Sequence, residues 1–279
     1  MEPQAFEVLR QIPGGGSVSL AGELAGQGPP VVLLHGLTAT RRNVVQGSRH
    51  LIRRGYRLVA YDARGHGASS PAPEPTRYEY RDLLGDLEAV LQALELERAV
   101  LVGSSMGAAT AMAFALESPE RVPALVQITP GYTGEPRTVR PEWGQMADAL
   151  EEGGVDAFVE VAQPEAVPER WSDVAREATR QRMERHEHPR AVAAALRVVP
   201  FSTAWDGLER LGRWQAPALV VGSRDESDPM HPLAVAEEYA RRLPHGELVV
   251  EEEGESPLAW QGARLSKAIG DFLERAGYS

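Results

Sequence analysis

The sequence predicts an α/β protein built on a mostly parallel sheet. Short, predominantly apolar runs recur along the chain, helical patterns separate them, and glycine-containing turns close several of the runs. Val31-Val32-Leu33-Leu34 is the first such run and ends at His35-Gly36, as a strand buried on both faces would. Arg57–Tyr61, Ala99–Val102 and Leu125–Ile128 repeat the pattern, with helices expected near Arg41–Arg54, Tyr78–Leu94 and Met106–Glu117. Strands in that alternation lie parallel and need right-handed crossovers. Ahead of them, Phe6–Gln11 and Ser17–Leu24 flank Gly14-Gly15-Gly16 and predict an antiparallel hairpin.

From Gly131 to Trp205 the strand pattern stops. Pro141–Gly153, Val155–Val161, Pro168–Glu187 and Pro189–Val198 read as short helices punctuated by glycine and proline. This stretch, 131–205, is expected to form a helical cap over the sheet, inserted into a core made of 1–130 and 206–279. The core resumes with a strand at Ala218–Val221, a helix near Pro232–Arg242, a strand at Glu247–Glu251 and a helix over Leu258–Ala276. Trp143, Trp171 and Trp205 are expected to pack cap against core. The cap arginines Arg176, Arg180, Arg182 and Arg185 are expected to be solvated and paired with acidic neighbours, with one of them able to reach an acidic substrate.

Composition removes several functions. The 279 residues are 43% hydrophobic and 25% charged, which excludes wholesale disorder. The absence of cysteine excludes disulfides, thiol nucleophiles and thiolate metal sites. A net charge of −11 argues against general binding to nucleic acid. No apolar run reaches the roughly 18 residues that span a bilayer, and Met1-Glu2-Pro3-Gln4 does not begin a signal peptide, so a cytoplasmic protein away from membranes is the expectation. His186-Glu187-His188 lacks the spacing that places two histidines on one helix face, so no metal is expected there. No phosphate-binding loop occurs either, and no cofactor is implied.

The chemistry concentrates in turns at strand ends. Gly103-Ser104-Ser105-Met106-Gly107 lies between a buried strand and a helix, where Gly-x-Ser-x-Gly strains the serine and presents its hydroxyl. Ser105 is therefore the candidate nucleophile, and the Met106 N–H points at a developing oxyanion. The loop after His35-Gly36 offers a second amide from Leu37. Asp62-Ala63-Arg64-Gly65-His66-Gly67 reads as a turn tied by its charged side chains, with His66 structural. Asp225 follows the strand Ala218–Val221, where a carboxylate can orient a catalytic histidine, and Asp228 is a weaker candidate for the same place.

These motifs together resemble the α/β-hydrolase fold superfamily over nearly the whole chain. The resemblance implies an eight-stranded, mostly parallel sheet with helices on both faces and a helical cap. It also implies Ser105 as nucleophile, Asp225 as triad acid, and Leu37 and Met106 as oxyanion amides. One position departs from the family pattern. Gly254-Glu255-Ser256-Pro257 matches the family's Gly-His-Ser-Pro, so Glu255 stands where the histidine belongs, and no histidine follows His245. A glutamate, with an ordinary pKa of about 4.3, is a poor base unless burial or a neighbouring carboxylate such as Asp225 raises it.

Three readings follow. Glu255 serves as base in a working enzyme; another histidine does so, His231 first and His35 after it; or the triad is broken and the pocket binds a ligand without turnover. The expected activity is hydrolysis of a small carboxylic ester or related acyl compound through Ser105. The alternatives are a ligand-binding homologue and a lyase or isomerase using Glu255 as acid/base. The expected partners are a small-molecule substrate or ligand and, for assembly, a second copy of the chain.

Overall fold

An apolar run becomes a central strand when both its faces are covered. In β3 (Pro30–Leu34), Val31 and Leu33 enter one apolar layer while Val32 and Leu34 enter another, since alternate residues of a strand point to opposite faces. β4 (Arg57–Tyr61), β5 (Val100–Ser104), β6 (Leu125–Ile128) and β7 (Ala218–Val221) divide their side chains the same way. One layer is completed by Leu83 and Leu87 of α2 (Tyr80–Ala93), Met112 of α3 (Met106–Glu117) and Tyr239 of α7 (Leu233–Arg242). The other is completed by Leu51 of α1 (His50–Arg53) and by Ile269 and Phe272 of α8 (Gly262–Arg275). Each such buried side chain contributes about 1.5–3 kcal/mol, and helices therefore cover both faces.

The structure, a computed structural model, describes residues 2–136, 141–162, 167–225, 228–255, 260 and 262–278. With β1 (Gln4–Gln11), β2 (Ser17–Ala25) and β8 (Gly246–Val249), the strands form one eight-stranded sheet in the order β1-β2-β4-β3-β5-β6-β7-β8. β2 pairs antiparallel with both β1 and β4, and the other neighbours are parallel. The carboxyl ends of β3 to β8 thus open on one edge, where the candidate site residues gather.

Two of the differences from the sequence expectation bear on the site. Arg41–Arg54 does not form one helix: a 3-10 turn at Arg41–Asn43 and the short α1 are separated by Gln46 and Gly47, whose φ angles of 47° and 74° reverse the helical hand. Asp62 holds that turn in place, accepting the Arg41 N–H at 2.7 Å and pairing with the Arg41 guanidinium. β8 ends at Val249 rather than Glu251, because Glu251 turns inward. It is 1% exposed and accepts the Ser223 hydroxyl at 2.8 Å, the Arg224 N–H at 2.6 Å and the Trp260 indole N–H at 3.0 Å. It thereby ties the loop after β7 to the loop after β8.

Between β6 and β7 lie α4 (Pro141–Ala162), kinked at Gly154 with φ 69°, α5 (Glu169–Met183) and α6 (Pro189–Val198). They share a small core of their own that includes Leu150, Phe158, Met183, Val192 and Leu196, and Leu37 packs against it from the β3 loop. Residues 258, 259 and 261 of the expected last helix lie outside the described residues. Among the described residues no helix is long and apolar enough to cross a membrane.

Candidate active site

The spacing of the serine motif is a steric requirement. A Cβ on Gly103 would stand 2.2 Å from the Gly107 carbonyl oxygen, and one on Gly107 would stand 2.2 Å from that of Leu34. Only glycine lets β5, α3 and β3 approach so closely. Between the two glycines Ser105 adopts φ 51°, ψ −110°, a sparsely populated conformation that costs on the order of 1–3 kcal/mol and persists only where the surroundings enforce it. They do so here through the Ser105 N–H donating to Ile128 O at 3.1 Å and the Ala109 N–H donating to Ser105 O at 3.0 Å. The hydroxyl is left at the carboxyl edge of the sheet, above the start of α3.

His231 Nε2 lies 2.7 Å from Ser105 Oγ, and His231 Nδ1 lies 2.7 Å from Asp228 Oδ2. A carboxylate only accepts, so Nδ1 carries the proton and Nε2 is free to accept from the serine hydroxyl. Two successive turns bring this pair to the serine: the Asp228 N–H donates to Asp225 O at 3.1 Å and the His231 N–H to Asp228 O at 3.2 Å. Asp228 followed by Pro229 is a favoured opening for such a turn. Burial works against the charge on Asp228, but His231, Arg182 and the Met230 N–H outweigh it and hold the carboxyl below its ordinary range. An ionised Asp228 is the form that can stabilise an imidazolium at His231.

The β3 loop lies against the serine. A Cβ on Gly36 would come within 3.4 Å of Ser105 Cβ. The Ala39 N–H closes a turn on Gly36 O at 3.0 Å with Thr38 at φ 66°, a costly conformation for a β-branched residue. Among the described residues the Leu37 and Met106 N–H groups have no backbone acceptor, so both remain available to an oxyanion beside Ser105. Thr38 is held from above: its carbonyl accepts the His186 Nε2–H at 3.0 Å, while His186 Nδ1 accepts the Gly67 N–H at 2.9 Å.

His35, His66 and His186 form a buried row, with ring centroids 5.2 and 5.5 Å apart. Burial lowers the pKa of all three, that of His186 to about 4. Unfolded histidines titrate near 6.5. As pH falls below that value the unfolded chain takes up protons that the folded one refuses, so stability is lost from about pH 6.5 down to the folded pKa near 4. His186 alone is expected to remove about 2 kcal/mol between pH 7 and pH 5. Urea unfolding at the two pH values, compared with His186→Gln, checks this; equal pH dependence in the two proteins would contradict it.

The other sequence candidates lie elsewhere in the constellation. Glu255 is exposed, pairs with Arg264 at 2.6 Å and accepts the Glu252 N–H at 2.9 Å. The Arg264 hydrogen bond lowers its pKa, the reverse of the upward shift that base chemistry needs; Ser256 and Pro257 of its motif lie outside the described residues. His35 has both nitrogens engaged, Nδ1 with Gly36 O and Nε2 with the Ala63 N–H, each at 2.8 Å, which leaves none for the serine proton. Asp225 begins the double turn, but the carboxylate that meets His231 is Asp228. Asp228 and His231 are three residues apart around Pro229, and that local turn signature was the available sign that their side chains meet. Among the described residues no group of three or more His, Cys, Asp or Glu could hold a metal ion.

The α/β hydrolase fold family model matches residues 29–263, and the chain belongs to that family. A thermophilic esterase from Thermogutta terrifontis, solved with malate bound, superposes with a TM-score of 0.79 and 25% identity over 98% of this chain and 99% of that one. An sn-1-specific diacylglycerol lipase from Xenopus laevis is 39% identical over 102 residues, 36% of this chain and 32% of the lipase. Epoxide hydrolase B from Mycobacterium tuberculosis is 38% identical over 108 residues, 39% of this chain and 30% of that enzyme. The matched segments thus span about a third of these curated relatives.

Proposed function

We propose that the protein hydrolyses a small carboxylic ester or related acyl compound through an acyl-serine at Ser105, with His231 as general base and Asp228 as its orienting carboxylate. The observation that carries this is the continuous chain Ser105 Oγ–His231–Asp228, with both contacts at 2.7 Å. As Oγ attacks the acyl carbon, its proton passes to His231 Nε2, and the carbonyl oxygen becomes an oxyanion facing the Leu37 and Met106 N–H groups. His231 then returns the proton to the departing alcohol. Water, deprotonated by the same nitrogen, attacks the acyl-serine; the acid leaves and Ser105 recovers its proton.

The esterase and lipase named among the relatives support the reaction class. The exposed ion pair of Glu255 with Arg264 offers no support to an acid–base reaction at that residue. The test is intact-mass analysis after exposure to a fluorophosphonate, together with turnover of short-chain esters. The wild type is expected to take up one adduct and to turn over ester, and Ser105→Ala to do neither. A folded wild type that is neither labelled nor active would overturn the proposal.

A further inference from the structure

The arginines of α5 do not share one environment. Arg176 and Arg180 pair at the surface with Glu160 and Asp156. Arg182, near the end of the same helix, is turned inward. Its Nε is buried without a hydrogen-bond partner, and its Nη2 makes only a 3.4 Å contact with Thr179 Oγ1 one turn back, at the weak limit for such a bond. Among the described residues no carboxylate forms an ion pair with it, whereas the buried guanidinium of Arg64 is held by Asp86 at 2.6 Å.

The location gives this cation its meaning. The end of α5 is fixed over the site by Met183, buried in the core of the insertion, by His186 on Thr38 O and the Gly67 N–H, and by the Glu187 N–H donating to Gly67 O at 2.9 Å. The charges of Arg182 and Asp228 act on each other. Asp228 does not neutralise Arg182, because its carboxyl already serves His231 and the Met230 N–H. Arg182 is half-buried with its Nε out of reach of water. A cation partly withdrawn from water without a counter-charge is costly, and a guanidinium recovers most by donating two parallel N–H groups to a carboxylate.

We propose that Arg182 receives a carboxylate carried by the substrate, so that this site takes acidic acyl compounds such as monoesters of short dicarboxylic acids. The inference rests on the hydrolase reading above and adds a substrate class to it. The esterified carbonyl is attacked by Ser105 while the free carboxylate, a few carbons away, fills the position facing Arg182.

The experiment compares kcat/KM for monomethyl glutarate and for methyl pentanoate, which have the same chain length and differ by the terminal carboxylate. Fluorophosphonate labelling is run on every protein. Wild type is expected to prefer the anionic ester by about 10–100-fold, the range a charge-assisted hydrogen-bonded pair supplies. Arg182→Met is expected to reduce that ratio to near one, and Arg182→Lys, which keeps the charge without the fork, to leave an intermediate ratio. If Arg182 only kept Asp228 ionised, both rates would fall together and the ratio would stay. A wild type that is labelled but shows no preference, or a preference that survives Arg182→Met, overturns this inference and leaves the hydrolase reading standing. A wild type that is neither labelled nor active overturns both.

Discussion

His231→Gln is expected to lower kcat/KM for ester hydrolysis by about 10³-fold or more, while Glu255→Gln changes it by less than about twofold. Glutamine at 231 keeps polarity and bulk but has no nitrogen that can take the Ser105 proton and give it back. Glu255 makes an ion pair with Arg264 at the surface, where such pairs contribute little. Asp228→Asn is expected to fall between them and nearer His231→Gln, with a loss of about 10²–10³-fold, because an amide no longer enforces the Nδ1-protonated tautomer. Steady-state rates on a short-chain ester check all three. Retained activity in His231→Gln alongside collapse in Glu255→Gln would reverse the assignment of base between the two positions.

Asp86→Asn is expected to destabilise the fold by about 3–5 kcal/mol, because it removes the carboxylate that the buried Arg64 guanidinium and Arg10 both engage and leaves Arg64 only the more distant Asp82, at 3.5 Å. Arg64 is fully buried and donates Nε–H to Asp86 Oδ2 at 2.7 Å and Nη2–H to Asp86 Oδ1 at 2.6 Å. Arg10 of β1 reaches the same carboxylate at 2.7 Å, and Arg64 also donates to the Arg77 carbonyl at 2.8 Å. One carboxylate on α2 thus joins β1 to the loop after β4, the loop that presents Gly67 to His186. Arg64→Met combined with Asp86→Leu is expected to cost less than Asp86→Leu alone, since the pair then leaves together. Urea unfolding of the single and double variants measures the coupling, and additive losses would contradict it.

The sheet was legible in the sequence wherever a strand is buried on both faces. Val31–Leu34 and Ala218–Val221 have no polar position to obscure them, whereas β8, with Glu247 among its four residues, was read two residues too long at its end. The Gly103–Gly107 elbow was equally legible, because its glycines answer to contacts with Leu34 and Gly107 that any such turn must make. The carboxylate and the histidine that meet beside Ser105 were harder to read. Asp225 and Asp228 occupy one loop three residues apart, and linear spacing does not say which carboxylate the double turn carries to the histidine. Position 255 attracts the base by its likeness to a motif, while the residue that reaches Ser105 sits on the neighbouring loop. Arg182 looks like its solvated helical neighbours until the packing of α5 over the site turns it inward.

The most direct measurement of the central claim is the second-order rate constant of fluorophosphonate labelling at Ser105 in wild type, His231→Gln and Glu255→Gln. The Ser105–His231–Asp228 assignment predicts wild-type labelling in Glu255→Gln and a rate lowered by about 10²-fold or more in His231→Gln. Labelling of a folded His231→Gln protein at the wild-type rate would contradict it.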